Sequence, residues 1–106
     1  MMNELDDISY KNRRNLLRTI FLDNAQEVLK IKMDPNTFLP MVHEQLENIL
    51  LELPPIERSV LELSLEQGFD PKDIARIKNL TDAEVNRLLQ EAKNRIFRII
   101  NTHIFN

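Results

Sequence analysis

An all-α fold is predicted by three observations. Apolar residues recur at three- and four-residue steps along nearly the whole chain, with no strand-like alternation competing. Gly68 is the only glycine among 106 residues, which favours long regular elements over tight turns. Proline and Asp, Thr or Asn stand together where one apolar stripe ends and another begins, as helix starts and stops require. The expected architecture is about five helices. The last three form a unit around a helix-turn-helix with a long final helix, preceded by an N-terminal helical arm. Residues 1–40 hold the arm and its connection, and residues 41–106 the domain.

The first helix is predicted from about Leu5 to Met33. Leu17, Ile20, Phe21, Ala25, Val28 and Leu29 make its apolar face. Lys11, Arg13, Arg14 and Arg18 form a basic cluster on or beside its polar side. With Asp6, Asp7 and Asp23 close by, a solvated face is favoured over a phosphate-contacting arm. Asp34-Pro35-Asn36-Thr37-Phe38-Leu39-Pro40 is expected to break the helix. A second helix follows from about Met41 to Leu51, with Val42, Leu46, Ile49, Leu50 and Leu53 as its stripe. Pro54-Pro55 stops it and starts a third over about Pro55–Gln67, because the first helical position needs no N–H. There Val60, Leu61, Leu63 and Leu65 point mostly inward, and Gly68 supplies a cheap positive-φ position.

A short helix is expected over about Pro71–Lys78. Asp70 caps it, Asp73 suits its positive end, and Ile74, Ala75 and Ile77 face inward. Asn79 is suited to the left-handed conformation, so Lys78-Asn79-Leu80-Thr81 is a tight turn. Thr81-Asp82-Ala83-Glu84 is a capping box that opens the last helix. Its stripe of Val85, Leu88, Leu89, Ala92, Ile96, Ile99 and Ile100 runs to about His103, which makes the helix ~33 Å long at 1.5 Å per residue. The tail from Ile96 to Phe105 is more apolar than one buried face needs. Phe97, Ile104 and Phe105 are therefore candidates for a partner or homodimer surface, with packing against the first helix as the plainer account.

Composition narrows the function. Cysteine is absent, which removes disulfides, thiol nucleophiles and thiolate metal sites. His43 and His103 stand far apart with no companions at ligand spacing, so no metal site and no cofactor is expected. Ser59 and Ser64 have no histidine near in sequence, and no glycine-rich phosphate loop exists, so an enzyme is not expected. No apolar run approaches the roughly 18 residues needed to cross a membrane. No basic segment followed by an apolar one opens the chain, so the expected location is cytoplasmic. The net charge of −3 is the wrong sign for a protein that coats nucleic acid. The acidity is concentrated in residues 41–80, with eight acids against four bases, while residues 81–106 carry three acids and four bases.

Leu53-Pro54-Pro55-Ile56-Glu57-Arg58-Ser59-Val60-Leu61-Glu62-Leu63 continues in an ungapped register through Gly68-Phe69, Asp73-Ile74-Ala75 and Asn79-Leu80-Thr81 to Val85, Leu89, Ala92, Lys93 and Arg95. This pattern resembles region four of bacterial RNA polymerase sigma factors, the promoter-reading domain, and the resemblance covers about residues 46–100. It implies transcription regulation by binding promoter-type DNA, RNA polymerase, or both. Thr81, Asn86, Arg87, Gln90 and Asn94 would contact DNA on the second helix of the motif, with Lys93 and Arg95 on the backbone. Positions that are basic or hydroxylic in the family hold Glu84, Leu88 and Glu91 here. A carboxylate facing phosphate weakens binding at every sequence. The alternative implied is a protein-interaction module on a scaffold that no longer binds DNA. Residues 1–40 are too short for the domain with which sigma factors melt promoters.

Overall fold

The computed structural model describes residues 4–28 and 35–103, with side chains described for 10–28 and 40–102. Six α-helices follow in order: α1 (Glu4–Asp23), α2 (Ala25–Val28), α3 (Pro35–Leu51), α4 (Pro55–Gln67), α5 (Pro71–Lys78) and α6 (Asp82–His103). No strand occurs among the described residues.

The helix ends that bracket the motif follow from local chemistry. Pro55 opens α4, and Gly68 closes it in the left-handed conformation at φ 69°. Asp70 then caps α5, its Oδ1 accepting from the Asp73 N–H at 2.9 Å. At the far end of α5, Asn79 adopts φ 56°. The Leu80 N–H bonds to the Ala75 carbonyl at 2.9 Å and the Asn79 N–H to the Arg76 carbonyl at 3.4 Å, closing a Schellman turn. Thr81 and Glu84 form the reciprocal capping box. The Glu84 N–H donates to the Thr81 hydroxyl at 3.1 Å, and the Thr81 N–H donates to Glu84 Oε2 at 3.0 Å. Leu80, just before the cap, packs on the cluster that contains Val85, four residues inside α6. This staple sets the angle at which the chain enters α6.

Two clusters of apolar side chains hold these helices together. The smaller joins Val60 of α4, Ile74 and Ala75 of α5, and Val85 and Leu88 of α6. The larger joins Leu17 and Ile20 of α1, Val42 and Leu46 of α3, Leu61 and Leu65 of α4, and Ala92, Ile96 and Ile100 of α6. Leu89 packs on both. The first third of α6 therefore belongs to the helix-turn-helix, and the remainder to a four-helix bundle that includes the N-terminal arm.

Polar contacts fix the arm and α4. Arg13 reaches from α1 to Glu47 of α3 and Glu66 of α4. Burial works against its charge, yet the two carboxylates more than offset this and raise its pKa above the ordinary value. Asn12 donates to the Leu65 carbonyl at 2.7 Å, satisfying an acceptor in the last turn of α4. Between α4 and α6, Arg95 grips Glu57 in a fork, Nε to Oε1 and Nη2 to Oε2, both at 3.1 Å. Glu57 is only 4% exposed, and its carboxylate raises the Arg95 pKa further above the usual range.

Several expectations require correction. The arm is not one helix to Met33: α1 ends at Asp23, and α2 resumes at Ala25. Both the backbone N–H and the side-chain amide of Asn24 donate to the Ile20 carbonyl, at 3.2 and 2.8 Å, and such side-chain competition disturbs a helix locally. Within the segment Asp34–Pro40, residues 35–40 are helical and do not interrupt a helix: α3 begins at Pro35 and runs through Pro40, and Asp34 lies outside the described residues. Pro35 suits the first position. Pro40 forfeits one bond, to the Asn36 carbonyl, close to the helix start. The burial of Val42, Leu46, Ile49 and Leu50 behind it supplies the compensation. Ile77 does not face inward but is 53% exposed. Ile74 and Ala75 define the inward side of α5, and Ile77 lies roughly 110° from its centre. Phe97 is 7% exposed and belongs to the larger core, so it offers no partner surface. Ile104 and Phe105 lie outside the described residues. The tail of α6 as far as Ile100 is covered by α1 and α3 of the same chain, which is the plainer account of its apolarity. Of the basic cluster, Lys11, Arg14 and Arg18 are exposed, whereas Arg13 is half-buried in its two ion pairs.

Two predictions follow from the packing. Ile96 is wholly buried where α6 meets the bundle, and Ile96→Ala is expected to cost about 2–5 kcal/mol in urea denaturation. Arg95→Ala leaves the buried Glu57 carboxylate without its fork. It is expected to lower the denaturation midpoint clearly more than Arg87→Ala, which removes an exposed cation; equal midpoints would show that the Glu57–Arg95 pair holds nothing in place.

Candidate nucleic-acid interface

The surface in question is the side of α6 turned away from both cores. Val85, Leu88, Ala92 and Ile96 mark the buried stripe. At about 100° per residue, Arg87, Gln90, Asn94 and Arg98 fall on the opposite side in one row. All four are exposed. Asn86 is exposed beside them toward the α1 flank, and Glu91 toward the other. The helix that carries this row is capped at its start by Thr81 and Glu84, pinned in its middle by Arg95, and buried along its back. The row is thus held on a rigid support.

Within it, Gln90 Nε2 donates to Asn94 Oδ1 at 3.2 Å. This leaves the Gln90 carbonyl oxygen and the Asn94 amide N–H groups facing solvent as an acceptor–donor set. Arg87 Nε lies 3.9 Å from Glu91 Oε1, with 68% and 50% of the two side chains exposed. A surface pair of that kind is worth little and is easily exchanged for another partner. Arg98 makes no ion pair among the described residues.

The remaining residues named from the sequence are placed differently. Thr81 is exposed, but its hydroxyl is occupied as the acceptor of the Glu84 N–H. It still has a proton to donate outward. Lys93 precedes Asn94 and so lies about 100° round the helix from it, lining a cleft against α1 and α4. Arg95 lies on the opposite flank, committed to Glu57. Neither shares the exposed row.

The unfavourable residues also separate. Leu88 is buried in the smaller core and faces no ligand. The Glu84 carboxylate is turned back onto the Thr81 N–H. Of the three residues that depart from the family pattern, Glu91 stands on the exposed side, 3.9 Å from Arg87, and Glu84 has one oxygen engaged in the cap.

Three cations join the surface that were not singled out in the sequence. Lys72 and Arg76 on α5 line a concavity of about 570 Å³ with Asn79, Thr81 and Asp82, directly beside the start of α6. Arg76 is tied to Asp73 at 3.1 Å, yet its side chain is 81% exposed. Arg98 follows Arg87 by three helical turns. That spacing could have been read from the sequence, whereas the α5 cations needed the angle between the two helices. Among the described residues, no group of three or more His, Asp or Glu could hold a metal ion, and no helix is long and apolar enough to cross a membrane.

No curated protein and no solved structure matches the chain. Residues 43–96, just over half the chain, match the family described as sigma-70, region 4. The matched stretch begins within α3 and takes in α4, the whole helix-turn-helix and α6 as far as Ile96. The capped α5, the left-handed turn at Asn79 and the capped α6 are the physical form of that match, and the chain belongs to the sigma-70 region 4 family.

Proposed function

We propose that this protein is a cytoplasmic, non-enzymatic transcription regulator that lays α6 into the major groove of promoter-type DNA. The observation that carries the reading is the row Arg87, Gln90, Asn94 and Arg98, solvent-facing on a helix fixed at its start, middle and back. Arg reads guanine, and Gln and Asn read adenine, through paired donor and acceptor contacts. The free edges of Gln90 and Asn94 supply one such acceptor and donor between them. Lys72 and Arg76 at the mouth of the motif are suited to the flanking phosphates, which position the helix without reading sequence.

Engagement of Glu84 in its cap and burial of Leu88 in the core support the reading against two of the three departures from the family pattern. Glu91 remains, and it opposes phosphate wherever the protein lands. A second reading is favoured by that carboxylate, by Asp82 at the helix start and by the net charge of −3. In it the same surface meets RNA polymerase or another transcription protein, through Arg87 and Glu91 acting together as a charged pair.

The two readings separate on salt. Binding of the purified chain to a random-sequence duplex is expected at about 50 mM salt and to fall steeply by about 200 mM, as phosphate contacts release counterions. On a site selected from that pool, Arg87→Ala is expected to weaken binding by about 1–3 kcal/mol and to relax preference at one base position. Glu91→Gln is expected to strengthen binding to every sequence alike. Absence of binding even at low salt would sink the DNA reading and direct the search to protein partners.

A further inference from the structure

Opposite Arg95, on the far flank of α6, lies a second feature that DNA recognition does not use. A cleft of about 230 Å³ opens between α1, α4 and α6. Leu16, Leu61, Leu65 and Leu89 form its apolar floor, and Asn15, Thr19, Ser64 and Lys93 line its polar part. Lys93 is half-buried there and makes no ion pair among the described residues. None of the residues lining the cleft is acidic. Thr19 and Ser64 likewise have no hydrogen-bond partner for their hydroxyls among the described residues. Arg13 is answered by Glu47 and Glu66, Arg95 by Glu57 and Arg76 by Asp73, whereas Arg58 and Lys78, half-buried like Lys93, make no ion pair among the described residues. Lys93 has uncommitted hydroxyls and apolar walls around it.

We propose that this cleft binds a small organic carboxylate with a short apolar body. The carboxylate would meet the Lys93 ammonium, with Ser64 and Thr19 donating beside it, and the hydrocarbon would lie on the leucines. A partly desolvated ammonium without a counterion favours an anion. A single cation matches a single negative charge better than the dianion of a phosphate ester. The volume is that of roughly eight waters at ~30 Å³ each, which suits an acid the size of hexanoate. Apolar walls with a few converging polar groups are the general form of a small-molecule site.

The location gives binding a consequence. One wall is the arm α1, one is α4 and one is α6, the helix that carries the exposed row. A ligand seated among the three stabilises the form in which the arm is docked, in proportion to its occupancy.

The test uses the full chain without DNA, so its outcome is independent of the DNA reading. Hexanoate and phenylacetate are titrated while backbone amide resonances and the thermal midpoint are recorded, with hexylammonium and acetate as controls for charge and tail. Saturable shifts confined to amides of Asn12–Thr19, Leu61–Leu65 and Leu89–Lys93, together with a rising midpoint, are expected for at least one of the two acids and for neither control. Lys93→Gln, which keeps a polar side chain of similar reach, is expected to fold normally and to weaken binding by about tenfold. Ser64→Leu, which fills the cleft, is expected to abolish it. The proposal is overturned by the absence of saturable shifts with both acids, by equal shifts with hexylammonium, or by unchanged affinity in Lys93→Gln. Should Ser64→Leu fail to fold, the Lys93→Gln comparison still decides.

Discussion

The apolar stripe of α6 is the constraint on which the rest of this structure depends. It runs from Val85 to Ile100, about 22 Å at 1.5 Å per residue, which is more than the short α5 and the adjoining turn of α4 can cover. The helix-turn-helix satisfies only its first third. The remainder must be buried by something else, and α1 and α3 do so. The motif and the arm are thereby joined through one rigid element.

That arrangement explains the distribution of polar contacts. The helix termini of the motif satisfy their own orphan groups with Asp70, Asn79, Thr81 and Glu84, so the motif needs no outside partner to close its ends. The long-range polar contacts serve a different purpose. Asn12, Arg13 and the Glu57–Arg95 fork each tie one helix of the bundle to another. They fix how the helices sit relative to one another, which the apolar packing alone leaves less specified.

α6 also illustrates how one helix carries separate chemistries on separate sides. Its back is core, its front is the row Arg87, Gln90, Asn94 and Arg98, one flank carries the fork to Glu57, and the other faces the cleft at Lys93. Lys93 and Arg95 are two residues apart and formally alike in charge, yet the helical turn between them puts them on opposite flanks with different occupations. The family resemblance implies a shared backbone-contacting role for the two, whereas in this geometry they occupy different flanks and Arg95 is bonded to Glu57.

The sequence by itself determined the local features: the helix stops at Pro54-Pro55, Gly68 and Asn79, the caps at Asp70 and Thr81, and the inward stripes of α3, α4 and α6. These depend on backbone propensity, missing N–H groups and contacts three or four residues apart, all legible in a linear string. It also carried the membership of the region-four family, because that pattern is built from those same local signals. Tertiary structure decided the rest. Continuation of α3 through Pro40 depends on burial of Val42, Leu46, Ile49 and Leu50 against residues of α1, α4 and α6. Exposure of Ile77 depends on which side of α5 finds a neighbour. Commitment of Arg95 to Glu57 and convergence of Leu16, Ser64 and Lys93 on one cleft likewise require elements dozens of residues apart to be brought together. No spacing along the chain encodes that meeting.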